Sequence, residues 1–194
     1  MTDVLIGFFI ATLISAIFTT RLFRLYNWYA LNSMVLGFIA LKIGFSIDDK
    51  AMIITGFLTL FLKFLVIPYI LKHLSIKFYI KRDIMPFIKV HYLVMIVPII
   101  LVFTFYLITP IIKNFAHSNY VALAVSALFL SLILIMEHKN IAAKIIGFLS
   151  IENTLFLLGI SSTNGMPMLI ELGIFVDLLM LIVIINLLFK YQGE

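Results

Sequence analysis

The chain has 194 residues, 64% of them hydrophobic and 12% charged, with a formal net charge of +5 and no cysteine. A soluble domain of this length cannot keep so much apolar surface out of water, so the surplus faces lipid or other membrane subunits. Without cysteine, the polypeptide itself has no disulfides, thiolate-held iron–sulfur clusters or cysteine nucleophiles, and basic residues gathered in loops do not point to nucleic acid.

Seven runs of about 20 apolar residues, each the length of one bilayer crossing, predict an all-α membrane protein. They form one polytopic domain over residues 1–194. The first run, residues 4–20, follows an N-terminus without the basic n-region or small-residue cleavage site of a signal peptide, so a retained span is expected. The other runs cover residues 28–45, 51–71, 91–112, 120–136, 141–161 and 168–189. Apolar residues occur all round each of them, as in helices wrapped by lipid and neighbours. Short polar breaks at 21–27, 46–50, 113–119, 137–140 and 162–167 separate them. The one longer connection, 72–90, interleaves Lys77, Lys81, Arg82 and Lys89 with Ile76, Phe78, Tyr79 and Ile80. It reads equally as an amphipathic stretch on the membrane surface or as a plain basic loop.

Charge then predicts direction. The first, third and fifth loops and the C-terminus collect Arg21, Arg24, Lys72, Lys77, Lys81, Arg82, Lys89, Lys139, Lys144 and Lys190, whereas the opposite side holds only Lys50 and Lys113. By the positive-inside rule the N-terminus is outside and the C-terminus cytoplasmic, in a multi-pass protein of the inner (cytoplasmic) membrane.

Three charged residues, Lys63, Glu152 and Asp177, sit near the middle of expected spans. A charge there costs about 2.5–3.5 kcal/mol on insertion scales, so each calls for a partner or a task. Lys63 is roughly 15 Å from either end of its helix at about 1.5 Å per residue, too deep to snorkel. Five residues later Pro68 removes a backbone donor and releases the carbonyl of Phe64, a local weakness of functional membrane helices. Glu152, followed by Asn153, shares its depth with Asp177, and on neighbouring helices the two carboxyls would lie on one polar track. Buried carboxyls of this kind suit proton uptake and release. The alternative is a static salt bridge to Lys63 that locks the helices together.

Other polar residues carry less. Glu171 lies one turn inside the outer surface and roughly 120° round the helix from Asp177, so it suits an exit point or contact with headgroup water. His91 opens the fourth span at the cytoplasmic boundary and reads as an uptake point or as an interfacial histidine. Lys42 is placed to snorkel. His73, His117 and His138 lie in or beside loops, and no helical pair has metal-ligand spacing. Ala122, Ser126, Ala127 and Ser131 give the fifth span a small-residue face suited to close helix contact, with Gly147 and Gly159 in the same role on the sixth. Nucleotide-binding glycine loops, nucleophile elbows and zinc-protease motifs are all missing, so no independent catalytic site is expected.

The run I-A-A-K-I-I-G-F-L-S-I-E-N-T-L-F-L-L-G, followed by G-M-P-M-L-I-E-L-G-I-F-V-D-L-L, resembles the hydrogenase-4 component E family. These are membrane subunits of group 4 nickel–iron hydrogenases, including formate hydrogenlyase-type complexes, which are related to respiratory complex I. Upstream, R-L-F-R-L-Y-N-W-Y-A-L-N-S-M-V-L looks like the family's first loop and second span, and L-K-F-L-V-I-P-Y like its lysine-to-proline third span. The resemblance thus divides the chain into a four-helix part, 1–119, and a part, 120–194, that is similar to the small three-helix subunit of complex I.

That likeness implies that Glu152 stands for the first buried acid on a proton route, with Glu171 or Asp177 as the second, and that Lys63 is the family's third-span lysine. Thr154 departs from the pattern, since many relatives carry glycine after the E-N pair. The implied partners are a cytoplasmic hydrogenase or related redox module, a membrane anchor subunit and antiporter-like subunits. No cofactor is expected in this chain; the nickel–iron centre and iron–sulfur clusters would belong to those partners. The function implied is proton or sodium translocation driven by redox chemistry elsewhere in the complex. Two other readings stand beside it: a structural linker without ion conduction, and an autonomous secondary transporter. The lack of an inverted repeat of equal halves counts against the transporter.

Overall fold

A computed structural model describes residues 2–77, 83–84, 86–108, 110 and 118–163. Among them every regular element is helical. In chain order these are α1 (Thr2–Ile17), α2 (Leu22–Ile47), α3 (Lys50–Thr59), a π-helical segment (Leu60–Val66), α4 (Ile67–Lys77), α5 (Val90–Ile108), α6 (Ser118–Glu137) and α7 (Ile141–Thr163). Five stretches of these are long and apolar enough to cross a membrane: Leu22–Ile47, Lys50–Lys77, Val90–Ile108, Tyr120–Glu137 and Ile141–Ser162. The second of them runs through α3, the π segment and α4 without a break. α1 is equally apolar but has 16 residues. This architecture is compatible with an all-α, multi-pass membrane protein. The expected seventh span, residues 168–189, lies outside the described residues, and Glu171 and Asp177 with it.

The α2–α3 connection shows how local chemistry sets the helix ends. Asp48 closes α2 in the left-handed region at φ 58°, a conformation that short polar side chains tolerate. Asp49 then caps α3, its carboxylate accepting from the Ala51 backbone N–H at 2.9 Å. The hairpin so formed lays α3 and the π segment along α2.

At the other end of α2 the helix starts earlier than the sequence suggests. Residues 21–27 are expected to be a loop, yet α2 begins at Leu22 and only residues 18–21 turn the chain. Polar residues at a membrane boundary mark the interface, not the end of a helix. Here Leu22, Leu25 and Tyr26 are fully buried and pull the first turns onto the core. The Tyr26 hydroxyl meets the Ser75 hydroxyl at 2.7 Å, and Lys72 Nζ donates to Asn27 Oδ1 at 3.1 Å, so α4 also continues past residue 71 to Lys77.

The 72–90 connection is therefore partly helix, and its residues 83, 84, 86 and 87 are bonded to the turns at one end of the bundle. Ile84 N–H donates to Thr20 O at 2.8 Å and Phe87 N–H to Glu137 O at 2.6 Å. Arg21 bridges Asp83 and Pro86 bridges His138 in antiparallel fashion. The Lys139 ammonium sits 5.3 Å above the Phe87 ring. The α1–α2 turn, this segment and the α6–α7 turn thus meet at one end of the molecule. Glu137 and His138, placed in a loop on sequence grounds, are both buried there. An acid at a helix end carries no sign of the segment that will fold across it.

α6 and α7 form the closest helix pair. Ala122, Ser126, Ala127 and Ser131 on α6 are all buried, and a Cβ added at Gly147 of α7 would come within 2.7 Å of the Ile135 Cα. Because backbone is met, a Gly147→Ala variant forces the helices apart. It is expected to lose about 1–3 kcal/mol, the usual effect of overpacking, and a thermal unfolding curve of the purified protein in detergent checks this. α6 also packs on α1 and α5, and α7 on α2, so residues of both halves share one apolar core.

Candidate functional site

The site begins at the weak point of the third expected crossing. Pro68 has no N–H and its ring crowds the carbonyl four residues earlier. Over Leu60–Val66, just before it, the backbone widens into a π-helix, with the Ile67 N–H donating to Leu62 O. Such widened turns occur often at functional sites, because one residue is added to the turn and the side chains are re-aimed. The residue re-aimed here is Lys63, which is 3% exposed.

Lys63 Nζ lies 3.1 Å from Glu152 Oε1 on α7 and donates to Asn153 Oδ1 at 3.2 Å. Glu152 is 8% exposed and Asn153 is fully buried. The structure therefore brings together two of the three charges singled out by sequence, across two helices and far from either end of the run Lys50–Lys77. The ammonium also explains the adjacent E-N pair: one residue supplies the counter-charge, the next a neutral acceptor.

Asn153 passes the contact on. Its Nδ2 donates to Asn32 Oδ1 at 3.2 Å and to Ser33 Oγ at 2.9 Å, both on α2. Asn32 Nδ2 donates in turn to Phe9 O at 3.0 Å and Thr12 Oγ1 at 3.1 Å on α1. The Thr12 hydroxyl donates to Phe9 O at 2.8 Å, which closes the chain. Donation runs in one direction, from the lysine to a backbone carbonyl. Amides neither gain nor lose protons in this range, so this arm fixes geometry and does not carry a proton. Among the described residues of this network, the groups able to exchange one are Lys63 and Glu152.

Thr154 completes the site on the other flank. It is fully buried, its hydroxyl donating to Ile151 O at 2.7 Å and lying 3.3 Å from Ser131 Oγ on α6. α7 runs as a continuous α-helix through this position, so the helix is unbroken around Glu152.

The remaining sequence candidates among the described residues lie apart from this network. His91 is exposed at the start of α5, its ring edge-on to Tyr92 at 6.0 Å. Lys42 is half-buried near the C-terminal end of α2. His138 faces two backbone carbonyls, Leu134 O at 3.2 Å and Thr19 O at 3.4 Å. Among the described residues no group of three or more histidine or acidic side chains is placed to hold a metal. Sequence reasoning missed Thr12, Asn32 and Ser33. Their only signal is polarity within an apolar run, which many packing residues share.

No protein-family model, curated protein or solved structure matches this chain.

Proposed function

We propose that this chain is a membrane-arm subunit of a group 4 nickel–iron hydrogenase or a related complex-I-like redox complex. In it Lys63 and Glu152, with Asp177, form part of a path for protons or sodium. The observation that carries this reading is the Lys63–Glu152 ion pair, buried between two membrane-length helices. Buried ion pairs add little to stability compared with apolar residues of the same size, so a pair kept at this depth suits a task.

With Glu152 ionised, its carboxylate holds the Lys63 ammonium. A cation or proton arriving at that carboxylate weakens the hold, and Asn153 Oδ1 keeps Lys63 from collapsing elsewhere. Lys63 then rests on Asn153 Oδ1 until the carboxylate is ionised again. Redox energy released in the partner module would drive this cycle by changing charge or hydration near the pair. Glu171 would serve as the exit and His91 as the uptake point. The basic loops would face the cytoplasm, where the hydrogenase module docks, with a membrane anchor and antiporter-like subunits alongside.

A second reading, a structural linker without conduction, is favoured by a different observation. The Asn153–Asn32–Thr12 chain joins α7, α2 and α1 through buried amides, which is what a packing lock requires.

Complex membership is tested by affinity purification of the tagged chain from its native membrane in mild detergent, with mass spectrometry of the proteins that accompany it. Nickel-hydrogenase and antiporter-like subunits are the expected companions. Recovery of the chain alone, where other membrane complexes stay intact, would overturn the proposal and favour an autonomous transporter.

A further inference from the structure

A groove of about 450 Å³ opens beside the α1–α2 turn, lined by Phe18, Thr19, Thr20, Arg24, Asn27, Trp28 and Leu31. Its wall on α2 follows helical spacing, so residues 24, 27, 28 and 31 share one face. From Arg24 to Leu31 the wall runs about 10 Å along the helix at about 1.5 Å per residue. Along it the chemistry changes from guanidinium and amide to indole and an exposed leucine. Lys72 adds a second cation at the polar end, its ammonium bonded to Asn27 Oδ1 at 3.1 Å. Among the described residues the lining contains no carboxylate.

We propose that this groove binds an anionic phospholipid, the phosphate against Arg24 near Lys72 and an acyl chain along Trp28 and Leu31. Charge complementarity selects the anion. The apolar continuation selects a lipid over free phosphate, which would fill only the polar end. Indole rings favour the membrane interface, one face on acyl chains and the N–H near headgroups, and Trp28 stands where the polar run 21–27 gives way to an apolar one. Basic pockets between helices are common binding places for acidic headgroups. This inference does not depend on the proposed redox role.

The chain supplies its own reporter, since Trp28 is its single tryptophan. The full-length protein is reconstituted into phosphatidylcholine vesicles containing either phosphatidylglycerol or phosphatidylcholine with brominated acyl chains, which quench indole fluorescence on contact. The expected result is half-quenching of Trp28 at a roughly fivefold lower mole fraction of the brominated phosphatidylglycerol, the effect of about one basic contact. Arg24→Gln removes that preference, while Lys144→Gln, an exposed basic residue on α7, keeps it. Equal quenching by the two lipids in the native protein overturns the proposal, whatever the folding of the variants. Loss of the preference in Lys144→Gln overturns it too, by showing a general surface-charge effect. Relief of quenching by millimolar inorganic phosphate would assign the groove to the free anion and overturn the lipid.

Discussion

Lys63→Met is expected to destabilise the protein by about 3–5 kcal/mol, the effect of breaking a buried ion pair from one side. The substitution keeps the length of the side chain but leaves the Glu152 carboxylate, 8% exposed, without its ammonium, and it removes the donor to Asn153 Oδ1. Thermal unfolding in detergent and the yield of folded protein both read the loss. Lys63→Met combined with Glu152→Leu should recover most of it, because a buried pair replaced by apolar residues of similar volume is often neutral or stabilising. The two residues touch, so non-additivity is required. A loss in the double variant equal to the sum of the two single-variant losses would show that the contact does not couple them.

Asn153→Leu is the second large effect. An interhelical hydrogen bond in a membrane protein contributes only about 0.6 kcal/mol on average, so counting lost bonds predicts little. What the substitution leaves behind matters more. Asn32 Oδ1 loses its donor from Asn153, as does Ser33 Oγ, and Lys63 loses its neutral acceptor. Each buried polar group left unsatisfied costs about 1–3 kcal/mol. The expected loss in unfolding temperature is therefore greater than for Gly147→Ala, where one steric contact is at stake. A smaller loss than Gly147→Ala would mean that Asn32 and Ser33 find other partners, and that the chain from α7 to α1 is not a unit.

How much of this is legible in the sequence depends on the size of the signal. Lys63 and Glu152 stand out because a charge in an apolar run is expensive enough to demand explanation. Their being partners is one of the alternatives the residues allow. Asn32, Ser33 and Thr12 do not stand out, since a neutral polar group in a helix is inexpensive and its role depends on which helices are neighbours. Pro68 signals a weakness, but the Leu60–Val66 widening is a property of the packed backbone. Helix ends read too short at 21–27 and 72–77 because polarity marks the membrane boundary, whereas buried Leu22, Tyr26 and Ser75 decide where the helix continues. Glu137 reads as a loop residue for the same reason. Its backbone carbonyl is met by the N–H of Phe87, far away in sequence.

Ion translocation separates a conducting pair from a packing lock most directly. Glu152→Gln keeps a carbonyl oxygen to accept from Lys63 while removing the charge and the exchangeable proton, so the fold and the intact complex should survive. The measurement is ions moved per electron transferred, in inverted membrane vesicles carrying either the native chain or the Glu152→Gln variant, at matched complex content. The expected result is retained electron transfer with ion movement largely lost. An unchanged ion-to-electron ratio, with only the amount of assembled complex reduced, would contradict the account and leave Lys63 and Glu152 as a structural clasp.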